Sequence, residues 1–239
     1  MTPLNPLLYP AIFFRKSTRS YGDSAVPEGK LDALKTFIPG AVPLLPGKKA
    51  AFDIHPHKGA AMKIAAYAEN DAASFINMAF MLQQMDLFLQ ANGVGALWSA
   101  MTRAAEKQRQ GLAFGICLIF GMAKESPVRS DISQFNRKQP ADIANEPGNP
   151  AIAAVRLAPS ARNRQPWYLM CGKNTIGFYC KKGGFLDNTL LKGLNWFDMG
   201  IAICHAVLAL QKEGLTPNAS VKTDAPDKEG FTYCVSVQY

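Results

Sequence analysis

Two stretches of the chain, residues 75–95 and 196–216, are apolar nearly all the way round a helix. In "FINMAFMLQQMDLFLQANGVG" the side chains of Phe75, Ile76, Phe80, Met81, Leu82, Met85, Leu87, Phe88 and Leu89 leave little polar face. Such a helix has to be covered on several sides. Residues 30–38 and 150–157 instead show the one-sided pattern of short amphipathic helices. Between each short helix and the next long one, the pattern predicts a hairpin of two short strands, turning at Pro46-Gly47 and at Cys171-Gly172. After each long helix comes an apolar strand, residues 112–120 and 231–239. Gly93 and Gly214 suit the left-handed residue that closes a helix.

The same order therefore occurs twice, which is the mark of an internal repeat. At an offset of 121, Met78 matches Met199, Leu87 matches Leu208, Leu89 matches Leu210, Gln90 matches Gln211 and Gly93 matches Gly214. Asn77/Asp198 and Ala79/Gly200 are alike in kind. Three shorter pairs follow in the same order: "RKS" (15–17) with "RKQ" (137–139), "LLPGKK" (44–49) with "LMCGKN" (169–174), and "LAFGICLIF" with "FTYCVSVQY". The expected fold is α+β: two pseudo-symmetric halves, residues 1–135 and 136–239, with the long helices buried centrally and a mixed or antiparallel sheet. The halves differ at one place. Where the first has "PGAVPL" (39–44), the second has "PSARNRQPWYL" (159–169), five residues longer on this alignment, with an exposed-looking Trp167.

Composition narrows the class. Hydrophobic residues make up 48% and charged residues 18%, the balance of a globular chain. The longest apolar run, residues 112–123, is too short to span a bilayer, and the start "MTPLNPLLYPAIFF" is broken by prolines and has no basic first segment. These features lead us to expect a soluble cytoplasmic protein with no membrane segment. The five cysteines form no CxxC pair and read as buried free thiols. His55 and His57 flank Pro56 and read as exposed loop residues, so no metal site is expected. Net charge is +8, with mild concentrations at 129–138 and 162–164 and no nucleic-acid-binding signature. That balance suits a phosphorylated small molecule.

Four segments carry candidate chemistry. "RKSTRSYG" (15–22) offers Arg15, Lys16 and Arg19 with two hydroxyls, donors that match a phosphate. "PSARN" (159–163) adds Ser160 and Asn163. "ANGVGALWSAM" (91–101) has two glycines that allow close backbone approach. "MAKESPVRSDISQFNRKQP" (122–140) brings Arg129 and Arg137-Lys138. There is no GxGxxG, Walker loop, HExxH or GxSxG, and no nucleophile–base spacing stands out. Donors and cations without a nucleophile suit a site whose chemistry belongs to an organic cofactor.

At these residues the chain resembles the FMN-dependent nitroreductase family. Arg15-Lys16-Ser17-Thr18-Arg19 resembles its R-R-S-x-R segment, and Pro159 to Trp167 resembles P-S-S-x-N-x-Q-P-W with Ala161 in place of the second serine. Gly93 to Trp98 resembles G-L-G-S-x-W, and Phe120-Gly121 followed by Pro127 to Arg129 resembles the family's strand end. The order of motifs departs from that of ordinary, homodimeric members and suits a fused pseudo-dimer in which one chain, as a monomer, carries one complete FMN site.

By this resemblance Arg15, Lys16 and Ser17 would hold the phosphate and ribityl chain, with Arg19 near the pyrimidine edge of the ring. Pro159, Ser160, Ala161, Asn163 and Gln165 would line the isoalloxazine. Gly95, Ala96, Leu97 and Trp98 would approach its central edge, and Arg129 and Arg137 would reach the phosphate. The activity implied is ping-pong hydride transfer from NADH or NADPH through FMN to a small acceptor such as a nitroaromatic or quinone, with no catalytic side chain, metal, nucleic acid or membrane partner. A flavin-storing or sensing protein, or a flavin-free basic interaction module, are the competing readings.

Overall fold

The long apolar stretches fold as helices and lie against each other. The computed structural model describes residues 1–183 and 193–239. The first half comprises α1 (Leu8–Ala11), α2 (Glu28–Phe37), β1 (Ala50–Pro56), β2 (Met62–Ala68), α3 (Ala72–Ala91), β3 (Gly95–Ser99), β4 (Gln108–Arg109) and β5 (Leu112–Gly121). The second comprises α4 (Pro140–Ile143), α5 (Pro150–Arg156), β6 (Trp167–Gly172), β7 (Thr175–Lys181), α6 (Leu194–Lys212), β8 (Asn218–Ser220) and β9 (Phe231–Gln238). Asp71 caps the start of α3 by accepting from Ser74 N at 2.9 Å. Both long helices end alike: Gly93 and Gly214 take φ of 69° and 78°, and Val94 N and Leu215 N donate back to Leu89 O and Leu210 O.

Each half has its own antiparallel sheet. The strand orders are β1-β2-β5-β3, with β4 on β5, and β6-β7-β9-β8. Element for element these are the same order. Both sheets also carry a bulge at the same place. The β2–β5 register shifts between Ala66 and Tyr67 and leaves Gly115 unpaired; the β7–β9 register shifts between Phe178 and Tyr179 and leaves Cys234 unpaired. Next to each bulge sits an edge-to-face ring pair, Tyr67–Phe114 with centroids 5.9 Å apart and Tyr179–Tyr233 at 5.5 Å.

The two halves are interlocked through their cores. Leu4, Leu8, Ala11 and Ile12 of the N-terminal segment pack into the apolar cluster of the second half, while Phe197 of α6 packs into that of the first. α6 is long and apolar enough to cross a membrane by length and composition, but it is largely buried, packed against α3 and α5. All five cysteines are buried and unpaired.

Several sequence expectations need correction. Pro46-Gly47 does form a turn, with Lys48 N donating to Leu45 O, but it precedes β1; the first hairpin turns between Pro56 and Met62. The second turns at Lys173-Asn174, one step beyond Gly172. "LLPGKK" and "LMCGKN" are therefore not equivalent, and the five-residue excess disappears with that alignment. The connection from α2 to β1 spans residues 38–49 and that from α5 to β6 spans 157–166, so the second is not the longer one. His55 lies in β1 and is half-buried rather than exposed in a loop, and Trp167 is fully buried because it opens β6 with its ring against the core.

The helix crossing depends on one glycine. A Cβ on Gly200 would fall 2.3 Å from Ile76 O and 2.8 Å from Phe80 N. Backbone atoms cannot move aside as a flexible side chain can. Gly200→Ala should therefore cost about 1–3 kcal/mol or more of stability, read as a lower urea midpoint. An unchanged midpoint would contradict the close crossing.

Candidate functional site

A helix buried on all sides can hold polar residues only if each finds a partner. Buried polar residues on α3 include Asn77, Gln83, Gln84, Asp86 and Gln90; those on α6 include Asp198 and His205. Asn77 Oδ1 accepts from Leu44 N and Leu45 N at 2.8 and 2.9 Å. Asp198, which stands 121 residues on from Asn77 in the other long helix, accepts from Ala161 N at 3.0 and 3.2 Å. Both fix the loop that follows the short helix. Gln90 brackets Lys16, donating to its carbonyl and accepting from its N–H.

The basic N-terminal segment is drawn onto α3 and β3. Arg15 is buried, with Nε 3.1 Å from Asp86 Oδ2 and Nη2 donating to Ser17 Oγ at 3.3 Å. Ser17 bridges to Ala96, and Thr18 N donates to Ala96 O at 2.9 Å. A Cβ on Gly95 would lie 2.4 Å from Thr18 Oγ1, so the room that this glycine provides is filled by Thr18. Trp98 Nε1 donates to Gln83 Oε1 and Asp86 Oδ2 at 3.2 and 3.3 Å. Gln83 Nε2 then meets His205 Nε2 at 3.2 Å, and His205 Nδ1 meets Ala154 O at 2.9 Å. Burial pushes His205 down to about 3, so the ring is neutral. With Ala154 O only able to accept, Nδ1 carries the proton and Nε2 accepts from Gln83. A single directed chain of hydrogen bonds thus runs from β3 through both long helices to α5. Leu97 lies half-buried on β3 beside it.

Two further guanidinium groups, those of Arg129 and Arg137, lie next to Arg15. Arg129 donates through N to Phe14 O at 2.7 Å and through Nη1 to Arg15 O, and it stacks 4.1 Å over the Phe135 ring. Arg137 lies 5.5 Å over the same ring and donates to Asn163 Oδ1 at 2.6 Å and Leu157 O at 3.3 Å. Burial, then the charges of Arg15 and Arg129, lowers Arg137 to about 10; burial with Arg15 and Arg19 lowers Arg129. Among the described residues Asp86 is the carboxylate paired with this group. Arg15 Nε lies off the hydrogen-bonding direction to Asp86, and Arg137 Nε is buried with no partner. Excess positive charge with a buried, unused N–H donor on Arg137 fits a phosphate ester. Lys16, Ser17, Thr18 and Arg19 line an adjoining cavity of about 210 Å³.

The "PSARNRQPW" loop joins this group through Arg137. Asn163 Nδ2 donates to Asn136 O at 2.8 Å, Gln165 Oε1 accepts from Lys138 N at 2.8 Å, and Ser160 Oγ accepts from Gln165 N at 2.9 Å. Arg162, Asn163 and Gln165 all take positive φ, 52°, 57° and 49°. Left-handed backbone costs roughly 1–2 kcal/mol per ordinary residue, and strain of this kind gathers at functional sites. The sequence-predicted residues therefore lie along one connected path from Ala96 through Arg15, Arg129 and Arg137 to Asn163 and Gln165. Pro159 is buried before the loop and Ala161 is held by Asp198. Sequence reasoning missed Gln83, Asp86, Asp198, His205 and Phe135. The signal for the first four was a polar residue in an otherwise apolar helix.

Residues 7–210 match the model of a family described as "Putative TM nitroreductase". The chain belongs to this nitroreductase family. Its fold is similar to a "putative nitroreductase" of Thermotoga maritima msb8, with a TM-score of 0.70 at 19% identity over 97% of this chain and 93% of that one. A nitroreductase with bound FMN from Desulfitobacterium hafniense DCB-2 aligns at 14% identity and a TM-score of 0.44, over 56% of this chain and 99% of that one. No curated protein matches the chain. The 0.70 match spans both halves of this family member, so the fold it shares is that of the whole chain.

Asp198 gives this site a pH dependence. Burial pushes its carboxyl up to about 8, against the opposing pull of Ala161 N–H and the Arg164 charge. An unfolded aspartate titrates near 4. The folded state thus holds the proton more tightly, and this contribution to stability is lost as pH rises from about 4 through about 8. Asp198→Asn keeps an acceptor for Ala161 N and removes the titration. In urea unfolding near pH 5 and near pH 9, the variant should gain on the native chain by about 2 kcal/mol or more at the higher pH. A difference that does not change with pH would contradict the assignment.

Proposed function

We propose that the chain is an FMN-dependent NAD(P)H oxidoreductase that reduces small nitroaromatic- or quinone-like acceptors in two alternating half-reactions at one site. The observation that carries this reading is the meeting of Arg15, Arg129 and Arg137 around one carboxylate among the described residues, with the buried Nε of Arg137 unused. Family membership makes FMN the phosphate ester of first choice. Arg129 and Arg137 would grip the phosphate, with Arg15 and Ser17 behind them. Asn163 keeps Arg137 in place, and Asp86 neutralises part of the charge of Arg15. Lys16 and Arg19 stand at the adjoining cavity. FMN, when bound, supplies the two-electron transfer between nicotinamide and acceptor. The chain itself binds, orients and balances charge.

We further infer that residues 1–135 and 136–239 descend from two subunits of a dimer and that one chain makes one site. The shared strand order, the paired bulges, the matching ring pairs and the like roles of Asn77 and Asp198 support this. So does the site itself, which takes Arg15 and Arg129 from one half and Arg137 and Asn163 from the other.

Purified protein should be yellow, release FMN on denaturation, and bleach with NADH or NADPH under anaerobic conditions. Arg129→Gln and Arg137→Gln should each weaken FMN by roughly tenfold or more, the worth of a charged hydrogen bond. Neither should weaken riboflavin, which lacks the phosphate. Arg15 is a poorer probe, because removing it strands the buried Asp86. A colourless chain that takes up no FMN, or equal losses for FMN and riboflavin, would overturn the reading.

A further inference from the structure

The two long helices are not equally polar where they cross. Counted back from the glycine that closes each helix, Gln83 and Asp86 of α3 stand level with Cys204 and Val207 of α6. All four are buried. The crossing itself therefore does not call for an amide and a carboxylate at these places. What they hold belongs to the candidate site: Asp86 pairs with Arg15, and Gln83 and Asp86 together accept from Trp98 Nε1. The price of burying them is met only if every polar group finds its partner.

His205 supplies the partner for Gln83 from the other half. By the same count it stands level with Gln84, which uses both ends of its amide to fix Val42 in the connection after α2. His205 likewise ties down its own short helix, through Nδ1 to Ala154 O at 2.9 Å, but it also reaches across the crossing to Gln83 at 3.2 Å. The end of α5 is the platform for the second-half cations. Arg137 Nη2 donates to Leu157 O at 3.3 Å, and Arg156 Nε donates to Lys138 O at 2.7 Å. α3 is the platform for Arg15, through Asp86. The Gln83–His205 bond thus joins the Arg15 side of the site to the Arg137 side. Burial lowers the pKa of His205 most, Ala154 O opposes, and the charges of Arg15 and Arg137 lower it further. A neutral ring within the field of both guanidinium groups links them without adding a cation to the excess.

We propose that His205 is a positioning residue for the phosphate end of the site: bonded to Ala154 on one side and to Gln83 on the other, it sets the spacing between Arg137 and Arg15. This rests on the reading of the guanidinium group as the FMN phosphate site. The test is equilibrium dialysis of the full chain against FMN and against riboflavin. His205→Phe should weaken FMN roughly threefold to tenfold, the worth of one neutral hydrogen bond, and leave riboflavin unchanged. Combined with Arg137→Gln it should add no further loss, because it acts through Arg137. His205→Gln, whose amide can donate to Ala154 O and accept from Gln83, should restore FMN binding. Equal losses for FMN and riboflavin, or losses from His205→Phe and Arg137→Gln that add as independent sites do, would overturn the proposal. Should His205→Phe not fold, Gln83→Met/His205→Phe removes donor and acceptor together and takes its place in the cycle, since Ala154 O also accepts from Leu157 N at 3.1 Å. A native chain that binds neither flavin sinks the FMN reading. The cycle is then run with inorganic pyrophosphate, where the same non-additive loss keeps the positioning role, and additive losses or no binding end it.

Discussion

At Gly200 the backbones of α3 and α6 meet with no side chain between them, and most of the structure is arranged around that contact. Each helix is too apolar to face water, so each must be covered by the other and by the sheet of its own half. The approach that a glycine permits brings the polar residues of the two helices within reach. Gln83 of α3 can then donate to His205 of α6, and the chain from Trp98 to Ala154 closes. Asp86, on the same helix, holds Trp98 and Arg15. The basic segment is therefore positioned from inside the core rather than by surface contacts.

The site built on this core runs against easy electrostatics. Among the described residues, Arg15, Arg129 and Arg137 are brought together with one carboxylate, and the loop carrying Asn163 holds three non-glycine residues at positive φ. Both features cost free energy, and the folded chain offsets them through the apolar interlock of its halves. Asp198 shows the same compromise in miniature. Where Asn77 secures the first loop with a neutral amide, the second half uses a buried carboxyl pushed up to about 8.

Much of the fold was legible because hydrophobic period and glycine position carry it. The long helices, their glycine ends and the two terminal strands lie where the pattern predicted. The hairpin turns did not, because a glycine in a turn does not say which turn it makes: Gly47 and Gly172 looked equivalent and serve different connections. The cation-bearing residues were legible from their type and their resemblance to family motifs. Their partners were not, since Asp86 and His205 are separated from Arg15 and Ala154 in the chain and meet them only through helix packing.

The central claim is that the two halves of one chain together make one flavin site. Sedimentation of the FMN-loaded protein, followed at the flavin absorbance, tests it most directly. The account predicts that flavin travels with a single chain of 26.0 kDa at one FMN per chain. Flavin that sediments only with a dimer, or at two per chain, would contradict it.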